Sequence, residues 1–279
     1  MPYTAEISRT NPTCFLFLVD QSSSMLEPFG KQPEKQKAEG VADALNRLFQ
    51  NLVLKCAKSE GIRDYLYVGA IAYGGQVASA LGGALAGQNL VPVSALANSP
   101  LRVEPRTRKI DDGAGGILEQ KFKFPVWFEA KPGGRTPMCQ ALTTAKQFLE
   151  VFLSRFPGCY PPLVVNITDG MSTDGDPRPA ATALCDLAST DGNVLLFNAH
   201  ISNSLALPIE FPDKEDSLPD NFAKLLFRMS SPLPPRLLEA ARGDGFACQG
   251  ASRGFVFNAD LVSIIRFLDI GTRVSAGVR

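Results

Sequence analysis

The sequence predicts an α/β fold: a doubly wound, mostly parallel central sheet flanked by helices on both faces. Three observations carry the prediction. Short continuous apolar runs recur, as strands buried on both faces require. Stretches with apolar residues three and four apart stand between them, the spacing of a helix that buries one face. The two kinds of segment alternate, which calls for parallel pairing with helices on both sides of one sheet.

The first strand is the run Cys-Phe-Leu-Phe-Leu-Val at 14–19, which ends at Asp20. A polar loop from Gln21 to Pro33 follows, punctuated by Gly and Pro. Residues 34–56 carry Ala38, Val41, Leu45, Leu48, Leu52 and Cys56 at helical spacing. Residues 65–73 read as the second strand, and the Gly-, Ala- and Val-rich stretch 76–97 as a strand with an irregular extension. From Ser99 periodicity disappears, and 99–132 reads as an insertion with a small hairpin around Phe122–Phe128. Its basic residues Arg102, Arg106, Arg108 and Lys109 are interrupted by Glu104, are followed by Asp111 and Asp112, and read as a solvated loop.

Residues 137–154 return to helix, with Pro137 suited to a first turn. Leu163 to Thr168 form another apolar strand, ending at Asp169-Gly170. Helix over 178–189, strand over 193–200, helices near 219–229 and 233–242, a strand at 254–258 and a helix at 259–270 complete the pattern. The whole chain, 1–279, is expected to be one elaborated domain.

The bulk numbers restrict function. Lysines plus arginines equal aspartates plus glutamates at 28 each, so nothing in the charge balance suggests a nucleic-acid binder, which needs a basic excess on one face. No apolar run approaches the ~20 residues that span a bilayer. The start of the chain lacks a basic stretch followed by a long apolar one. The six cysteines form neither CxxC nor CxC pairs, which is unlike a zinc site or a disulfide framework. Cys14 and Cys185 read as small core hydrophobes. A soluble protein of the reducing cytoplasm is the expectation.

Three loops collect hard oxygen donors. Asp20-Gln21-Ser22-Ser23-Ser24 follows the first strand, and its alternation would aim Ser22 and Ser24 the same way. Gly133-Gly134-Arg135-Thr136-Pro137 delivers one hydroxyl at a helix start. Thr168-Asp169-Gly170 ends a strand. Sheets of this class place their sites at the carboxyl ends of strands. Two carboxylates and three hydroxyls make five oxygens, suited to Mg²⁺, Mn²⁺ or Ca²⁺ rather than zinc. Mg²⁺ needs six, so water or an outside carboxylate has room.

Asp20-x-Ser22-x-Ser24, then Thr136, then Asp169-Gly170 resembles the metal-ion-dependent adhesion site of von Willebrand factor A domains, across roughly residues 12–270. The resemblance implies that Ser22, Ser24 and Thr136 touch the ion directly. It implies that Asp20 and Asp169 do so directly or through water. It implies too that an acidic residue of a partner protein completes the shell. The segment Pro125-Val-Trp-Phe-Glu129 and the pair Pro137-Met138 resemble bacterial cytoplasmic members of tellurium-resistance type. Those members imply kinases, phosphatases or AAA+ ATPases as neighbours, in stress or anti-phage functions.

Blander and rival readings stand beside this one. Asp20 to Ser24 suit a turn capping helix 34–56, and Thr136 suits a plain N-cap. Asp174 and Asp176 suggest a calcium loop, but its closing glutamate is absent. His200, the only histidine, reads as a surface residue or one outside the ligand shell; Trp127, the only tryptophan, reads as local packing. A Mg²⁺-dependent phosphatase with Asp20 as nucleophile is the enzymatic rival. Its usual second acid two residues on is Ser22 here, which cannot act as a general acid. A scaffold with a structural metal site is the third reading.

Overall fold

A computed structural model describes residues 3–29, 32–111, 117–202, 207–259 and 261–272. Its centre is an eight-stranded sheet. In chain order the strands are β1 (Thr13–Asp20), β2 (Leu66–Tyr73), β3 (Val77–Ser79), β4 (Val91–Pro92), β7 (Leu163–Thr168), β8 (Leu195–His200), β9 (Ile209–Glu210) and β10 (Phe255–Phe257). Strands β5 (Arg102–Asp111) and β6 (Ile117–Val126) form a separate antiparallel hairpin. Across the sheet the order is β9-β10-β8-β7-β1-β2-β3, with β4 also on β2. The pairs β1–β2, β1–β7, β7–β8 and β8–β10 are parallel, and the edges are antiparallel. The doubly wound α/β architecture read from the sequence is the one observed.

Alternate residues of β1 enter opposite layers, which explains its unbroken apolar run. Phe15, Phe17 and Val19 pack with Val41, Leu45, Leu48, Phe49 and Leu52 of α1 (Lys37–Cys56), and with α6 (Pro235–Gly243) and α7 (Leu261–Thr272). Cys14, Leu16 and Leu18 pack with α3 (Met138–Arg155), α4 (Arg178–Cys185) and α5 (Asn221–Met229). A short helix, α2 (Val93–Asn98), lies on the first side. The chain steps from β1 to β2 on one side and later returns to β7 on the other. Strand order therefore reverses at β1, and the carboxyl ends of β1 and β7 flank the switch point where such sheets place ligands.

Several boundaries differ from the sequence reading. α1 begins at Lys37, not at 34, because Gln32–Gln36 pairs with Pro28–Phe29 as a ribbon. The Glu39 carboxylate then accepts the Gln36 N–H at 3.0 Å and closes the first turn. α4 stops at Cys185 because Ala188–Ser189 turns back on Gly192–Asn193. The basic run Arg102–Lys109 is strand, not loop, and the hairpin is ten residues a side rather than small. Its base is anchored by Phe124 and Val126, both buried, while Ile117 and Leu118 nearer the tip are exposed. The Arg106 guanidinium lies 3.7 Å from the Phe124 ring centroid and pairs with Asp43 of α1 at 2.9 Å. Trp127 is local packing as expected: it is buried edge-on to Phe49, and its Nε1–H donates to Leu96 O at 2.6 Å.

Among the described residues no helix is long and apolar enough to cross a membrane. All six cysteines are free. Cys14 is fully buried and Cys185 half-buried.

Candidate metal centre

The parallel register sets Val19 beside Ile167, so β1 and β7 end side by side and deliver Asp20 and Asp169 to one place. Asp20 is fully buried. Its Oδ1 accepts the Ser22 N–H at 2.8 Å, and its Oδ2 accepts the Thr168 hydroxyl at 2.6 Å. Burial pushes the Asp20 carboxyl up to about 6; the hydrogen bonds from Thr168 and Ser22 pull it down, and the Asp169 charge pushes it up further.

Ser22 is extended at the start of a 3-10 turn, Ser23–Leu26. The turn still brings the Ser22 and Ser24 hydroxyls together at 2.9 Å. Ser24 donates in turn to Asp169 Oδ1 at 2.7 Å. The Asp169 Oδ2 receives the Lys37 ammonium at 2.8 Å. A hydroxyl that donates its proton to a carboxylate keeps its oxygen lone pairs for another partner.

Thr136 arrives through a loop built on backbone contacts. Gly133 N–H donates to Gln21 O at 2.6 Å, and Ser23 N–H to Gly134 O at 3.1 Å. Gly134 has φ +90°, and a Cβ there would stand 2.6 Å from Gly75 backbone atoms, so only glycine fits. A Cβ on Gly170 would meet the Thr136 Oγ1 at 3.7 Å and the Ser24 Oγ at 3.8 Å. The two hydroxyls therefore border one small space, kept open by the missing side chain of Gly170.

Ser22, Ser24 and Asp169 are joined by hydrogen bonds, Thr136 borders the same space as Ser24, and Asp20 meets this group through the Ser22 N–H. Thr136 does not cap α3, however. The N-cap is Pro137, without a side-chain bond, and Asp174 takes the task by accepting Cys139 N–H at 3.1 Å and Gln140 N–H at 2.9 Å. Asp176 instead pairs with Arg178 at 2.7 Å. The serine loop does not cap α1 either, since Glu39 closes that turn. Sequence reasoning missed Lys37, the Asp174 cap and the Thr168 hydroxyl. Thr168 stood in the third loop, but nothing in that loop announced a bond to Asp20.

His200 is not at the surface. It stacks on Phe257, with ring centroids 5.1 Å apart and planes 9° off parallel, and meets Phe222 edge-on. Its Nδ1 is buried without a hydrogen-bond partner among the described residues. Burial pushes its pKa down to about 4, against the pull of Asp220 and Asp169.

Among the described residues no three His, Cys, Asp or Glu side chains gather as metal ligands. The donor set here is two carboxylates and three hydroxyls, which fits a hard, oxygen-seeking divalent cation and not a thiophilic one.

No family model matches the chain, and no curated protein matches it. Solved structures do match. One is the vWF domain of the type V pili tip protein Mfa5 from Porphyromonas gingivalis, 15% identical, covering 58% of this chain and 39% of that one, with a TM-score of 0.33. Another holds three N-terminal domains of the same tip protein, 13% identical, covering 58% of this chain and 20% of that one, with a TM-score of 0.33.

Proposed function

We propose that this pocket binds one divalent cation, Mg²⁺ foremost, and offers it to an acidic residue of a partner protein, as a von Willebrand factor A-type interaction module would. The observation that carries the proposal is the convergence of Ser22, Ser24 and Asp169 in one hydrogen-bonded chain, with Thr136 bordering the same space. Ser22, Ser24 and Thr136 would hold the ion through oxygen lone pairs, and Asp20 and Asp169 would supply negative charge. The ion, when bound, supplies a Lewis-acidic position for an outside carboxylate. One such contact cannot alone offset the several kcal/mol that association costs, so neighbouring loops and the hairpin add contact area.

What weighs against Asp20 as a phosphatase nucleophile is that both its oxygens accept hydrogen bonds in a buried position. The bacterial stress or anti-phage setting, with kinase, phosphatase or AAA+ partners, belongs to the same proposal, as does a cytoplasmic location.

The test is a pull-down from host lysate with and without EDTA, beside an assay of phosphate release from a simple ester. Partner capture is expected with Mg²⁺, lost in EDTA and lost in Asp20→Ala. Capture that survives EDTA would leave only a scaffold with a structural metal. Mg²⁺-dependent phosphate release, abolished in Asp20→Asn, would establish the enzyme instead.

A further inference from the structure

Lys37 is the first residue of α1, and its side chain is only 4% exposed. Its ammonium touches Asp169 Oδ2 at 2.8 Å and Glu27 Oε2 at 2.7 Å. Local electrostatics opposes a cation there, because the amino end of a helix is the positive end of its dipole. Burying an ammonium is also costly unless it is paired. Asp169, itself only 1% exposed, is the buried partner; Glu27 is half in solvent, where its charge is screened.

Asp169 thereby divides its two oxygens. Oδ1 faces the hydroxyl loops through Ser24, and Oδ2 is held by Lys37. The buried charges of the pocket are Asp20 and Asp169 against Lys37, one negative charge in sum. An added divalent ion would leave the pocket at one positive charge, a condition that draws in a carboxylate. Without Lys37 the loaded pocket would be neutral.

We propose that Lys37 is an internal cation of this centre: it stabilises the metal-free pocket and holds divalent-ion affinity down. The inference rests on the reading of the pocket as a metal site. It makes a prediction of sign. A lysine that merely positions Asp169 predicts weaker ion binding when it is neutralised. A lysine that competes through its charge predicts tighter binding.

The experiment compares the parent with Lys37→Met, using Mn²⁺ alone as the probe. Free Mn²⁺ is counted by paramagnetic resonance, and melting is followed in EDTA and in saturating Mn²⁺. The variant is expected to melt below the parent in EDTA and to gain more from Mn²⁺ than the parent does. It is expected to bind Mn²⁺ at least about tenfold more tightly, the lower limit for a doubly and a singly charged cation a few ångströms apart even under full water screening. Equal or weaker Mn²⁺ binding by the folded variant would overturn the role of Lys37 while leaving the metal site standing. A variant that stays unfolded in saturating Mn²⁺ would overturn it too, because the ion must be able to take over the charge. A parent that binds no Mn²⁺ would overturn the metal site itself.

Discussion

Asn46, on the buried side of α1, clamps the chain at Trp127 with a fan of three hydrogen bonds. Its Oδ1 accepts the N–H groups of Trp127 and Phe128 at 2.8 and 3.0 Å, and its Nδ2 donates to Phe128 O at 2.8 Å. The hairpin thus returns to the body of the protein at one fixed point. From there the chain runs to Gly133, Gly134 and Thr136. Asn46→Ala would leave three backbone groups buried without partners. The expected loss is about 2–4 kcal/mol of stability, read from urea unfolding. A loss below about 1 kcal/mol would mean that packing of Trp127 alone holds this junction.

Asp174 acts on the same loop from the other side. Its carboxylate accepts two N–H groups in the first turn of α3, immediately after Thr136 and Pro137. Asp174→Ala should lower stability by about 1 kcal/mol, as loss of a helix cap does. It should also weaken Mn²⁺ binding, because the loop that carries Thr136 loses its support. Melting curves and Mn²⁺ titration check the two parts separately. Unchanged Mn²⁺ affinity would show that Thr136 is held by its own backbone bonds to Thr173.

These two residues show where the sequence is legible and where it is not. Asp20 and Asp169 could be found because each stands at the carboxyl end of a strand whose two faces are both buried, so the acid marks where the apolar run stops. Ser22, Ser24 and Thr136 followed from chemistry in the adjoining loops. Asp174 caps a helix that begins 36 residues earlier, and no local pattern connects the two. Lys37 reads as one more charge in a polar run; only the fold, which sets the start of α1 against the residue that follows β7, puts it on Asp169. Strand β5 was illegible for a different reason. Apart from Val103 and Ile110 its residues are Arg, Glu, Pro, Thr, Lys and Asp, with little to bury, and it is a strand because β6 pairs with it along its full length. The expected small hairpin around Phe122–Phe128 overlaps only the apolar end of β6 and misses β5.

His200 sets a stability slope against pH. Its ordinary value is about 6.5, and burial against Phe257 and Phe222 lowers it to about 4 in the folded chain. The folded state therefore holds the ring neutral while the unfolded chain takes up a proton below about 6.5. Stability linked to this group is complete above that pH. It falls as the pH drops towards 4 and levels off below, with a total loss of about 3 kcal/mol. Asp20 shifts in the opposite direction over an overlapping range, so the parent's own profile mixes the two. Comparing the parent with His200→Phe at each pH cancels every other group, Asp20 included, as long as the ring stack is kept. The difference in unfolding free energy, measured in urea at steps from pH 8 to pH 4, should grow in the variant's favour below pH 6.5. A flat difference would mean that the folded protein protonates His200 without cost, and that its Nδ1 finds a partner in solution.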